Sequence, residues 1–372
     1  MLSFWEKDEF LKYDAIIIGG GIVGLSTAIS LKEKEPSWKV LVLEHGIFPT
    51  GASTKNAGFA CFGSLTEILA DLETMSRDEV FELVRLRWEG LSLLRKRLGD
   101  ARMDYHNFGG YEILNKSQLH LLSEMEEVNQ LLYPLFGKDV YHDGSENLSH
   151  FGFNKARARG LIFNPFEAQI HTGKMMQGLA SLARHLDVEV LTGTTVSSFQ
   201  DHGSFTEVLT EKGIKFQCKK LAVCTNAFAK DLIPIADLNP GRGVVLITKP
   251  IKNLRVKGTF HYDEGYYYFR NYQDRVLFGG GRNMDLEGEN TAEFKIRDII
   301  LDKLKADLET LILPGQSFEI DHTWAGIMAF GKNKQPILKS HSQNVFLGLR
   351  LGGMGVAIGS KMGQDLARLM LR

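Results

Sequence analysis

The feature that most constrains this chain is a glycine pattern near its start. Gly19, Gly21 and Gly24 stand at the spacing Gly-x-Gly-x-x-Gly, directly after the run Tyr13 to Ile18. That run is made of strand formers and reads as a parallel strand buried on both faces, feeding a tight turn. Helical periodicity follows from Gly24 to Lys34, and Pro36 marks its end. Lys39 to Leu43 reads as a second buried strand and closes a right-handed strand-helix-strand unit. In this context each glycine has its own task. Gly19 permits the turn, Gly21 lets a pyrophosphate approach the backbone, and Gly24 lets the helix lie close on the strand. The N–H groups around Ile22 and Val23 sit at the helix N-terminus, where unpaired donors and the dipole favour phosphate. Glu44 ends the second strand about twenty residues past Gly24, where a carboxylate accepts from adenosine ribose hydroxyls. His45 is expected beside the same ribose. Together these residues predict dinucleotide binding.

A chain of 372 residues is long enough for two interwoven domains. The formal net charge is -1 with no long basic run, which argues against nucleic acid or an anionic membrane as the main partner. Cys61, Cys218 and Cys224 form no Cys-x-x-Cys pair and suit neither a disulfide framework nor a zinc site. The charged stretch Met1 to Lys12 lacks the apolar core of a signal peptide, and no apolar run is long enough to span a bilayer. A cytoplasmic location is expected, and the oligomeric state is left open.

The fold class expected is α/β, a dinucleotide-binding Rossmann-like domain assembled from discontinuous pieces with an inserted antiparallel-sheet α+β substrate domain. Residues 1–90, 150–232 and 322–372 are assigned to the dinucleotide domain, and 91–149 and 233–321 to the substrate domain. Leu221 to Cys224 reads as a buried strand. Val244 to Ile247, Tyr266 to Arg270 and Val276 to Gly279 read as antiparallel strands. Helical stripes run through Asp78 to Leu98, Ser117 to Phe136 and Thr291 to Leu311.

Beyond the first turn, the sequence resembles the D-amino-acid-oxidase-like flavoproteins, the family of glycine oxidase and sarcosine oxidase. Gly51-Ala52-Ser53-Thr54-Lys55-Asn56-Ala57-Gly58 is similar to that family's Gly-Ala-Ser-x-Arg-Asn-x-Gly loop, with Lys55 in place of the usual Arg. Val196 matches the strand whose backbone meets the adenine. Thr225, Asn226 and Ala227 fall in the segment that closes over the cofactor. Pro240 to Gly243 resembles the family's Pro-x-Arg-Gly, Arg275 to Gly281 its Arg-x-x-x-Gly-Gly strand, and Trp324-Ala325-Gly326 its Trp-x-Gly. Gly353, Met354, Gly355 and Val356 fit the Gly-x-Gly turn that opens the final helix. The resemblance covers nearly the whole chain. It implies FAD, held non-covalently because no Cys or His stands at the usual attachment positions.

The same resemblance implies hydride transfer from the α-carbon of a small amine or amino acid to the flavin, giving an imine, with oxygen or another acceptor reoxidising the cofactor. Such chemistry requires positioning more than acid or base groups. Tyr266 is the implied carboxylate-gripping Tyr, and Tyr268, two residues on along the same expected strand, shares its face. The family's Arg after Trp-x-Gly is here Met328, and the Lys that other members use falls at Ala357. A desolvated carboxylate without a cation is costly, so Arg350, Lys55 and Arg270 stand as candidate replacements. The alternatives are an FAD-dependent 2-hydroxy-acid dehydrogenase, a flavin-binding module acting with a protein partner, and an NAD-dependent dehydrogenase.

Overall fold

The computed structural model describes all residues, Met1–Arg372. At the centre of the first sheet lies the strand Lys12–Ile18, hydrogen-bonded in parallel to Val40–Leu43 on one side and Lys215–Val223 on the other. Val188–Leu191 and Val345–Leu349 extend the parallel series outward. Ile337–Ser340 closes one edge in antiparallel pairing. Alternate residues of the central strand point into different cores. Ala15 and Ile17 pack with Ile22, Leu25, Ile29 and Leu366, whereas Ile16 and Ile18 pack with Leu41, Val208 and Phe216. Burial on both faces is the reason the run Ala15 to Ile18 carries no polar residue. The helices Ile22–Lys34, Thr172–His185 and Gly355–Met370 supply the first of these cores.

The second sheet has eight strands and is largely antiparallel. Its order runs from Ile320–Phe330 through Asn239–Thr248, Arg275–Gly280, Tyr267–Tyr272 and Thr259–Tyr262 to Gly110–Leu114, Gly160–Asn164 and His142–Asp143. One face is an aromatic core of Phe260, Phe269 and Phe278, covered by Ile300, Leu304 and Leu308. The other face looks toward the first sheet, where Val245 and Leu277 pack on Ala57. The architecture is the α/β arrangement expected, a discontinuous Rossmann-like unit joined to an antiparallel-sheet unit.

Several boundaries differ from the expectation. Gly160–Asn164 pairs with Gly110–Leu114, and Ile320–Phe330 pairs with Asn239–Thr248. Both strands therefore belong to the substrate sheet, although both were assigned wholly or mainly to the dinucleotide domain. The boundary at residue 90 cuts the continuous helix Arg77–Leu98, which packs on the first core through Leu91 and Leu94 and on a separate cluster with Phe62 and Leu132 through Val80 and Val84. The expected helix from Thr291 begins only at Asp298. The residues before it are held off the helix by tertiary bonds: the Glu293 carbonyl accepts from Arg242, and Arg297 pairs with Asp285. The stripe from Ser117 splits into a tight-turned segment, Lys116–Glu124, and an α-helix, Met125–Phe136. No helix is long and apolar enough to cross a membrane.

Candidate active site

Between the sheets lies one connected cavity of about 1290 Å³. Pockets for a single small ligand run to about 300–1,000 Å³, so this one has room for a dinucleotide and a substrate.

One end is built by the glycine turn. Gly19 has φ +106°, and a Cβ there would meet the Cys224 carbonyl oxygen at 2.8 Å. Gly21 faces Ser53, whose Oγ accepts from the Ile22 N–H at 3.0 Å. The helix Ile22–Lys34 has no side-chain cap of its own, and intrahelical bonding starts with the Leu25 N–H donating to the Gly21 carbonyl at 3.0 Å. The N–H groups of Val23 and Gly24 therefore have no intrahelical partner and are available to phosphate. Gly24 does not line the cavity; it lets the helix touch the strand. Buried Glu44 accepts from the Gly20 N–H at 2.8 Å and the Gly46 N–H at 3.0 Å. A carboxylate has about four lone-pair sites, which leaves capacity for ribose hydroxyls. His45 is held by Thr195 at 2.7 Å, and Val196 lines the same end. The Thr225 hydroxyl is buried, without a partner, on the cavity wall. An orphan polar atom beside a glycine cradle is what a missing cofactor group would leave.

The loop from Gly51 to Gly58 forms the middle of the wall. Gly51, Ala52, Ser53, Lys55, Asn56, Ala57 and Gly58 line it. Asn56 staples the loop: its amide donates to the Ala52 and Ser53 carbonyls at 3.1 and 3.0 Å, and its oxygen accepts from the Gly58 N–H at 2.8 Å and from Thr172 at 2.9 Å. Trp324 donates from Nε1 to the Lys55 carbonyl at 2.9 Å. A Cβ on Gly326 would meet Lys55 Cβ at 3.1 Å. The Trp-x-Gly segment thus presses on this loop. Gly353, Met354, Gly355 and Val356 bring the start of the uncapped final helix to the cavity wall.

Besides Gly24, two residues of the cofactor set do not line the cavity. Thr54 donates to the Pro49 carbonyl at 2.8 Å and shapes the loop turn without lining the cavity. Ala227 is buried in the core behind the Thr225 segment.

At the far end, Tyr268 and Met328 converge. A Cβ on Gly243 would lie 2.8 Å from Met328 Cε and 3.9 Å from the Tyr268 hydroxyl. Burial pushes the Tyr268 phenol up to about 12, so it stays a neutral hydroxyl. Gly279 makes room for its ring. Tyr266 is not on the strand, which starts at Tyr267; it stands in the preceding turn, 37% exposed, on the cavity wall. Its expected shared face with Tyr268 is therefore replaced by a place in the turn.

The candidate replacement cations divide. Arg350 donates to the Gln335 carbonyl at 2.9 Å, to Asn333 Oδ1 at 3.0 Å and to Asp237. Its guanidinium ties loops together and is not free for substrate. Arg270 donates to the carbonyls of Ala57 at 2.5 Å and Ile170 at 3.0 Å. It braces the loop from behind, and burial lowers its pKa to about 10. Lys55 sits over the Phe294 ring, 5.3 Å from its centroid.

Sequence reasoning missed four neighbours at this end: Arg282, His261, Asp71 and Lys334. His261 pairs across strands with Tyr268 and, fully buried, approaches Glu167 Oε2 at 3.2 Å through Nε2. Burial opposes its charge, but the carboxylates of Glu167, Glu67 and Glu112 outweigh that and hold its pKa above the ordinary value. Cys61 lies in the same group, its thiol pushed up by burial. Lys334 reaches Asp71 at 2.5 Å. The three consecutive glycines before Arg282 were the one local signal available.

A model of FAD-dependent oxidoreductases, the DAO family, matches residues 14–369. Gamma-glutamylputrescine oxidoreductase of Escherichia coli (strain K12) is 24% identical, covering 99% of this chain and 85% of the relative. L-2-hydroxyglutarate dehydrogenase of the same strain is 21% identical over 62% of this chain and 51% of its own. Glycine oxidase from Geobacillus kaustophilus superposes with a TM-score of 0.78 at 19% identity, covering 97% of this chain and 95% of that one; at that identity the likeness shows the fold.

Proposed function

The chain belongs to the DAO family of FAD-dependent oxidoreductases, and on that premise we propose that it oxidises a small amine or amino acid to an imine. The observation that carries this reading is the single cavity. It runs without interruption from Gly19, Gly21 and Glu44, along the loop Ser53–Gly58, to Tyr268 and Met328. Bound FAD supplies the acceptor for the hydride that leaves the substrate α-carbon.

The chain's own residues bind and orient. Gly21, Val23 and the helix N-terminus hold the pyrophosphate, Glu44 and His45 the ribose, and Val196 the adenine. Ser53 to Gly58, Thr225 and the turn from Gly353 to Val356 hold the flavin half. Tyr268 and Met328 form the wall against which the substrate carbon lies, with Tyr266 at the mouth. The neutral Tyr268 hydroxyl both donates and accepts, so it orients an amine without removing its proton. The buried walls keep water from the reacting carbon until the imine leaves and hydrolyses. FAD is held non-covalently in this reading, so acid precipitation should release all the yellow colour into the supernatant.

A second reading rests on His261 and Glu167. Oxidation of a 2-hydroxy acid needs a base for the hydroxyl proton, and a carboxylate-supported histidine on the cavity wall is suited to that task. The relation to L-2-hydroxyglutarate dehydrogenase supports the same view. Anaerobic mixing of the FAD-loaded protein with amines, amino acids and 2-hydroxy acids separates the two. Bleaching of the flavin absorbance by amines alone supports the first reading; bleaching by hydroxy acids alone supports the second and removes the first.

A further inference from the structure

We propose that Arg282 is the carboxylate anchor of this cavity, standing in for the cation that Met328 does not supply. The inference rests on the amine or amino-acid oxidation proposed above and narrows its substrate to one bearing a carboxylate, by naming the residue that selects it.

The backbone delivers Arg282 to the site. The strand Arg275–Gly280 ends in Gly280 and Gly281, at φ +127° and +80°. A Cβ on Gly280 would lie 2.1 Å from the Tyr266 carbonyl oxygen, so the turn is closed to other residues. The chain then folds back over the cavity face of the sheet. A Cβ on Gly241 would come within 3.0 Å of Arg282 Nε, whereas one on Gly243 would come within 2.8 Å of Met328 Cε. Gly241 and Gly243 are two apart on one strand and share a face, roughly 6.6 Å from each other. The guanidinium therefore lies one side-chain step along the sheet from Met328 and Tyr268.

Its bonding leaves it ready for an anion. The ring of Phe330 supports the guanidinium at 4.2 Å, and Nη2 donates to Asn290 Oδ1 at 2.6 Å. Nε is buried beside Gly241 without a partner, and Nη1 neither makes a hydrogen bond nor is buried, which leaves it the donor open to a ligand. No carboxylate pairs with the guanidinium, whereas the cavity's other arginine, Arg350, is bound to Asp237. Burial lowers the Arg282 pKa, as expected where a charge has lost water and gained no counter-ion. A planar fork on an aromatic face, with donors unmet, is suited to a carboxylate. Tyr266 lines the same cavity.

The test uses the FAD-loaded protein and benzoate as a carboxylate probe, read by perturbation of the flavin absorbance and by calorimetry. Wild type should bind benzoate, and Arg282→Met should bind it roughly a hundredfold more weakly, with Arg282→Lys recovering part of the loss. The KM for an amino-acid substrate should rise with Arg282→Met far more than the KM for the matching amine without a carboxylate. If Arg282→Met does not retain flavin, Arg282→Gln is measured in its place. Benzoate binding unchanged by these substitutions overturns the proposal, as does a wild type that amines reduce but no carboxylate occupies. Benzoate binding that depends on Arg282, in a protein that no amine or hydroxy acid reduces, upholds the anchor and instead removes the proposed reaction.

Discussion

Gly24 shows how tightly single residues set the phosphate turn. A Cβ there would lie 1.9 Å from the Gly19 carbonyl oxygen, so Gly24→Ala must push the helix off the strand. Overpacking of this kind costs about 1–3 kcal/mol, and FAD affinity should fall roughly ten- to hundredfold; a variant that purifies fully yellow would refute this. Thr225→Val should act differently. Its hydroxyl is buried and unpaired, so the apoprotein should melt no lower, while FAD binding weakens roughly tenfold if the cofactor is the missing partner. Equal FAD affinity in titrations would leave the hydroxyl unexplained. His261 gives a pH signature. Its pKa is raised in the fold, so its ion pair contributes stability that is fully present below the ordinary histidine value and lost as pH climbs through the raised one. Melting temperatures of wild type should therefore fall over that window more than those of His261→Gln. Parallel curves would count against the pair.

At the scale of elements, the substrate sheet is pinned where its strands meet loops. Arg242, on Asn239–Thr248, donates to both carboxylate oxygens of Glu289 at 2.8 Å, and both residues are buried. Glu289→Ala would strand a buried charge at a cost of about 3–5 kcal/mol. It would also loosen the segment carrying Asn290, the partner of Arg282. Denaturant unfolding measures this, and a loss within 1 kcal/mol (roughly the worth of an exposed pair) would show the pair to be marginal. The strand Tyr267–Tyr272 faces two environments in turn. Phe269 enters the aromatic core, while Tyr268 and Arg270 face the cavity and the loop. That alternation was legible as a strand, but which face held the site was not, because both faces carry aromatic residues.

Across the whole molecule, the two sheets meet at the cavity, and their wall residues come from segments throughout the chain. A ligand that binds only the folded state stabilises it by about 2.7 kcal/mol at a hundredfold excess over its Kd. Added FAD should accordingly raise the melting temperature in a concentration-dependent way, and the variants Gly24→Ala and Thr225→Val should need more FAD for the same rise. A melting temperature indifferent to FAD would contradict the assigned cradle.

The dinucleotide turn was readable from the residues alone, because its roles are local: a glycine without a Cβ, a helix start, a strand buried on both faces. The flavin segments were readable only through the resemblance to a known family. The partners of Arg350, Arg270 and Arg282 were not. Asp237, Ala57 and Asn290 reach them only through folding, so a list of positive charges could not distinguish a loop clamp from an anchor. The split of Gly160–Asn164 and Ile320–Phe330 into the second sheet was hidden for the same reason. Strand pairing joins residues distant along the chain, and a run of strand formers does not specify which sheet will take it.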